Sequence, residues 1–212
     1  MSADPQFMYD RGMENASAPA LTAFVLAGGK SMRMGADKAF LEYQGRTFLA
    51  RALDLARSAT ADVRIVGSRE KFASFAPVVE DIFRDCGPLA GIHSALLASP
   101  SELNLMLAVD TPFISSEFLR YLIAQAHAAP EAAVVVPSSA GRSQPLCAIY
   151  RREFAATAEN ALRAGQNKIG RLFDEVPTRL IEDDELRVAG FDPAIFRNLN
   201  TPEELAAEKG SL

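Results

Sequence analysis

Cysteine is scarce in this chain: Cys86 and Cys147 are the only two in 212 residues. They lie far apart with no Cys-x-x-Cys, which argues against a disulfide framework and a thiolate zinc site and suggests inert thiols in a reducing compartment. Long apolar runs are missing too, none approaching the roughly 20 residues needed to cross a bilayer. The first residues show no basic stretch followed by an apolar core, so neither a secretory leader nor a membrane anchor is expected and a cytoplasmic location is. Positive charge is in deficit, with a formal net charge of −5, which speaks against a general nucleic-acid surface. A polyanionic ligand would then have to be met by local cations and a metal ion. His93 and His127 are the only histidines and stand isolated; each is expected to be structural or exposed. There is no internal repeat, heptad run or low-complexity tract.

What is present is an ordinary globular composition, 49% hydrophobic and 23% charged, on a chain long enough to bury a large core. Residues 1–19 mix Asp, Pro, Gly, Asn and Ser without periodicity and read as a flexible tail; residues 20–212 read as one domain. From there short apolar runs alternate with amphipathic stretches. Strands are expected at 23–26, 62–66, 76–79, 104–109 and 132–136, the last stopped by Pro137, with 39–43 extended before a turn at Gln44, Gly45 and Arg46. Helices are expected after a Thr47 cap, at about 69–75, from the stretch 86–91 to about 98, and at about 115–128. Such alternation predicts an α/β fold, a three-layer, mostly parallel open sheet with helices on both faces. The run at 104–109 is almost entirely apolar and should be a central strand. Beyond Ser138 the pattern turns irregular: a strand at 144–150, helices at 152–164 and 168–174, an edge strand at 177–181, a short strand at 194–198 and a terminal helix from Thr201.

The first strand runs into Leu26-Ala27-Gly28-Gly29-Lys30-Ser31-Met32-Arg33-Met34-Gly35-Ala36-Asp37-Lys38. Adjacent glycines let backbone N–H groups approach a ligand, and Lys30, Arg33 and Lys38 place three cations in one loop, which describes a phosphate site. It is not a Walker loop, because Phe24 stands where the first glycine is needed, nor a dinucleotide fingerprint, because Lys30 occupies a glycine position. Asp110 follows the apolar strand and precedes Thr111 and Pro112, at the mouth of the sheet, where one carboxylate with substrate phosphates can hold Mg²⁺. Asp81 also lies at a strand end, and ligands of open α/β sheets bind there.

The loop resembles the signature of the nucleotidyltransferases that activate sugars, isoprenoids and molybdopterin with a nucleoside triphosphate, and is close to that of the molybdenum cofactor guanylyltransferase family. Asp110-Thr111-Pro112 matches that family's metal motif. Gly87-Pro88-Leu89-Ala90-Gly91, Gln144-Pro145-Leu146 and Asn198-Leu199-Asn200-Thr201-Pro202-Glu203-Glu204-Leu205 look like its later segments, so the resemblance spans about residues 22–205. It implies a Rossmann-like nucleotidyltransferase fold and transfer of GMP from Mg-GTP to the phosphate of molybdopterin, with release of pyrophosphate. By position, Leu26, Ala27, Gly28, Gly29 and Gly87 would line the nucleotide, Lys38 would bind phosphate, Asp81 would contact the nucleotide, and Asp110 would hold Mg²⁺, with Asn200 as a second ligand or an acceptor contact. Arg33, with its rigid fork, suits the pyrophosphate, while Lys30 is left to solvent. The acceptor is already a phosphate, so no strong general base is needed.

One position departs from the family: Val66 stands where an Asn commonly contacts the nucleotide, and backbone groups of Val66, Gly67 and Ser68 are expected to substitute. Two alternatives accompany the guanylyl reading. One is a CTP-dependent transferase acting on molybdopterin or another phosphate acceptor; the other is a catalytically inactive nucleotide-binding accessory protein, possible partners being other cofactor-assembly proteins.

Overall fold

Ten strands and six helices carry the described part of the chain, residues 21–28 and 37–199 of a computed structural model. In chain order the strands are β1 (Leu21–Leu26), β2 (Glu42–Tyr43), β3 (Arg46–Thr47), β4 (Val63–Val66), β5 (Val78–Val79), β6 (Leu103–Ala108), β7 (Val134–Ser139), β8 (Arg142–Ser143), β9 (Cys147–Arg151) and β10 (Thr178–Ile181). The helices are α1 (Phe48–Arg57), α2 (Arg69–Phe72), α3 (Pro88–Ala98), α4 (Ser116–Ala128), α5 (Phe154–Arg163) and α6 (Asp183–Val188).

The main sheet runs β10-β7-β9-β6-β1-β4-β5, with β8 hairpinned onto β7. β6, β1, β4 and β5 are mutually parallel, β10 is parallel to β7, and β9 is inserted antiparallel between β6 and β7. Every residue of β6 is buried, as its unbroken apolar run requires of a strand covered on both faces. Two apolar layers flank the sheet. One contains Phe48, Leu49 and Leu53 of α1 with Phe118, Leu119 and Leu122 of α4; the other contains Leu89, Ile92 and Leu96 of α3 with Phe154, Ala158 and Leu162 of α5. The expected three-layer, mostly parallel architecture is what forms, and Thr47 caps α1 by accepting from the Ala50 N–H at 3.2 Å.

Several local expectations are corrected. Ala39 and Phe40 are not extended but lie in a 3₁₀ turn, Lys38–Phe40, because the Asp37 carboxylate caps it through the Ala39 N–H at 3.2 Å. Arg46 belongs to β3, leaving the turn to Gln44 and Gly45, both at positive φ. Pro137 does not stop β7. The ladder with β9 reaches only Val135, so a missing N–H on that side breaks no bond, while the Pro137 carbonyl accepts from Gln144 N–H at 2.8 Å. Gln144 to Leu146 precede β9 rather than belonging to it. The segment expected as a strand at 194–198 is a 3₁₀ turn, Pro193–Phe196, capped by Asp192, since Asp-Pro presets a turn more strongly than the apolar residues preset a strand. Helix α6 was not expected; it buries only Leu186. Residues 1–20 and the terminal helix expected from Thr201 lie outside the described residues.

Candidate active site

The C-terminal ends of β1, β4, β5 and β6 open onto one cavity of about 620 Å³. Its wall includes Leu26, Ala27 and Gly28 after β1, Val66 and Ser68 after β4, Asp81 after β5, and Ala108, Val109 and Asp110 after β6. Gly87, Pro88 and Gly91 at the start of α3 close one side, and Lys38, Asp37, Lys71 and Leu146 another. Parallel pairing produces this convergence: strands running the same way must all release their chain at one edge, where backbone groups and loops are left for a ligand. Residues 26, 27, 28, 38, 81, 87 and 110, separate in sequence, are thereby brought to one wall. Gly29, Arg33 and Asn200 lie outside the described residues. The described chain nevertheless ends beside Asp110, whose carbonyl accepts from the Leu199 N–H at 3.3 Å.

At the β6 edge, Lys38 Nζ donates to Asp110 Oδ2 at 3.1 Å. The two side chains are only 21% and 19% exposed, so the pair is partly withdrawn from screening water. Thr111 Oγ1 donates to the Ala108 carbonyl at 3.0 Å and holds the turn after β6. Asp110 Oδ1 makes no hydrogen bond to a described residue. One carboxylate oxygen left open beside a phosphate-sized cavity fits Mg²⁺, which binds through one or two carboxylates and completes its shell with phosphates and water. No described cluster of three or more His, Cys, Asp or Glu competes for that role. A second ion pair, Lys71 Nζ to Asp37 Oδ2 at 2.7 Å, ties α2 to the start of the Lys38 turn.

The backbone of the first loop behaves differently from expectation. Ala27 N–H and Gly28 N–H both donate to the Val66 carbonyl, each at 3.0 Å. Those two donors bind β1 to β4 and are not offered to a ligand. The backbone of Val66 to Ser68 is engaged as well: Gly67 N–H donates to the Val79 carbonyl at 3.0 Å, and the Ser68 carbonyl accepts from Lys71 and Phe72. The expected backbone substitute for the missing Asn is therefore largely consumed by the sheet and by α2.

Across the cavity, Asp81 has no hydrogen-bond or ion-pair partner among the described residues. It is open at the mouth, yet surrounding protein desolvates its carboxyl enough to push it above the ordinary carboxylate value. Close approach there depends on Gly91: a Cβ on it would stand 3.1 Å from Val66 Cγ1 and 3.5 Å from Asp81 Oδ1. Gly87 adopts φ 72, ψ −164, a region for glycine, to turn the chain into α3. Ser68 and Lys71 were not singled out as side-chain contributors from the sequence. Nothing in a Ser just before, or a Lys on, a four-residue helix marks it until β4 delivers it to the cavity.

The chain matches the family described as MobA-like NTP transferase domain over residues 23–180. It is 34% identical over 189 residues to a probable molybdenum cofactor guanylyltransferase of Halalkalibacterium halodurans, covering 86% of this chain and 94% of that one. The chain belongs to the molybdenum cofactor guanylyltransferase family. A molybdenum cofactor guanylyltransferase of Desulfosudis oleivorans is 32% identical, with 91% and 96% of the two chains covered. Among solved structures, molybdopterin-guanine dinucleotide biosynthesis protein A from Archaeoglobus fulgidus superposes with a TM-score of 0.76 at 25% identity, covering 90% of this chain and 98% of that one. Membership in the guanylyltransferase family makes the protein a nucleotidyltransferase and its fold the Rossmann-like one of that class. No helix among the described residues is long and apolar enough to cross a membrane.

Proposed function

We propose that this protein transfers GMP from GTP to the terminal phosphate of molybdopterin. An acceptor phosphate oxygen attacks the α-phosphorus, the bond from that phosphorus to the bridging oxygen of the β-phosphate breaks, and pyrophosphate leaves with the electron pair. The observation that carries the reading is the Lys38–Asp110 pair at the mouth of the parallel sheet, in a cavity of about 620 Å³ on a chain of this family. Lys38 is placed to donate to a phosphate oxygen and Arg33 to hold the departing pyrophosphate. Leu26, Ala27, Gly28, Gly29 and Gly87 line the nucleotide, and Asp81 accepts from the guanine N1–H and exocyclic amine. Asp110, with Asn200, holds Mg²⁺, which when bound neutralises charge on the phosphates. No side chain has to remove a proton, because the acceptor phosphate is ionised near pH 7.

Incubating the protein with molybdopterin, Mg²⁺ and each nucleoside triphosphate in turn tests this. Pyrophosphate release and a dinucleotide product are expected with GTP. Equal use of CTP would move the protein to cytidylyl transfer, and binding without release for every triphosphate would make it an accessory protein.

A further inference from the structure

The polar side chains of the cavity wall are mostly committed to each other. Lys38 pairs with Asp110, Lys71 pairs with Asp37, and Asp85 is partnered as well. Among the described wall residues, that leaves Asp81 and Ser68 as the two whose side chains have no partner at all, apart from the open Oδ1 of Asp110.

Ser68 is unpartnered for a specific reason. It occupies the residue before α2, where a serine ordinarily accepts a hydrogen bond from the first turn, yet its side chain makes no such bond. Glu80 stands in: its Oε1 accepts the Arg69 N–H at 3.1 Å. The hydroxyl is thus released from capping while the backbone around it is held in place. Gly67 N–H continues the β4–β5 ladder by donating to Val79, and a Cβ on Gly67 would stand 2.9 Å from the Phe72 ring.

Both groups line the cavity wall, and the strand register, continued past its last pair, brings them toward each other. The last β4–β5 pair is Val66 with Val79, and Ser68 and Asp81 each lie two residues farther on. A period of two returns a side chain to the face it left, which for Val66 is the face packed against Gly91 of α3. Neighbouring strands are about 4.8 Å apart, close to the span of a purine's hydrogen-bonding edge.

We propose that the Ser68 hydroxyl is a second side-chain contact to the nucleotide base, donating to the guanine carbonyl oxygen beside the donors taken by Asp81. This rests on the guanylyl reading and adds a specificity residue to it. A carboxylate followed by a hydroxyl is complementary to the order amine, ring N–H and carbonyl along that edge. Val66 supplies no polar side chain, so recognition passes two residues along the same strand end.

The test measures dissociation constants of GTP, 6-thio-GTP, ATP and CTP for wild type, Ser68→Ala and Ser68→Thr, with turnover and melting temperature alongside. Ser68→Ala is expected to weaken GTP about three- to tenfold, the effect of one neutral hydrogen bond. Its saturated turnover should be unchanged, 6-thio-GTP should be nearly insensitive because sulfur accepts weakly, and Ser68→Thr should recover most of the loss. A change in GTP affinity under twofold would overturn the proposal. So would an equal loss for all four triphosphates, which would put the hydroxyl on sugar or phosphate. If wild type binds CTP best, the guanylyl reading fails by itself. A base-dependent Ser68→Ala loss would still place Ser68 against a base, and a base-independent one would not.

Discussion

Lys38 Nζ and Asp110 Oδ2 meet at 3.1 Å across 72 residues of sequence. The pair joins the turn that follows the glycine-rich loop to the end of the central strand, so the ammonium and the carboxylate are positioned by each other. Asp110→Asn keeps the shape and one hydrogen-bond acceptor but removes the charge. Transfer at saturating GTP and Mg²⁺ is expected to fall about a hundred- to a thousandfold, with the circular dichroism spectrum unchanged. Wild-type turnover in the folded variant would remove Asp110 from the mechanism.

Asp81 should weaken the fold at neutral pH. Desolvation raises its carboxyl in the native state above the ordinary value of 3.8, so native protein binds more protons than unfolded chain between those two values. Stability therefore declines as pH rises through that window, and the penalty persists above it. Asp81→Asn is expected to melt higher than wild type at pH 7, with the gain shrinking toward pH 3.8, and to lose preference for GTP over ATP. A lower melting temperature at pH 7 would contradict the assignment.

Gly87 tests backbone conformation apart from crowding. At φ 72, ψ −164 it lies where other residues are strained, yet a Cβ there would meet nothing within 4 Å. Gly87→Ala is expected to cost about 1–3 kcal/mol through strain alone, read as a lower urea midpoint at unchanged m-value. An unaltered midpoint would mean that the turn into α3 relaxes freely.

His93 governs the acid limb in the opposite sense to Asp81. Its side chain is 1% exposed, both ring nitrogens lack partners, and Glu159 Oε2 stays 4.0 Å away. Phe83 packs on it edgewise. Desolvation lowers its pKa below 6.5, with Glu159 opposing and Arg163 reinforcing the shift. The unfolded chain thus takes up protons first as pH falls below 6.5, and native stability is lost in that direction. His93→Leu removes two unsatisfied buried nitrogens and should lose less melting temperature between pH 7 and pH 5 than wild type. Parallel melting curves for the two proteins would rule this out.

Much of the frame was legible because it rests on local patterns. The unbroken apolar run ending before Asp110, the Thr47 cap and the alternation of runs with amphipathic helices each reflect burial or capping of nearby residues, which sequence periodicity records directly. Errors arose where a neighbour in space decided the outcome. Pro137 continues β7 because β9 has already parted from it, whereas the miss at Ala39 was local, the Asp37 carboxylate two residues back capturing its N–H.

Within the site, sequence alone determined which residue types are available: glycines for close approach, the cation of Lys38, and the carboxylates of Asp81 and Asp110 at strand ends. Their partners came only with the tertiary structure. The convergence of β4 and β5 brings Ser68 and Asp81 to one cavity wall, Glu80 relieves Ser68 of capping, and the Val66 carbonyl consumes the N–H groups of Ala27 and Gly28. A hydrogen bond takes its energy from distance and direction between two groups, and for groups on different strands those are decided by how the strands pack.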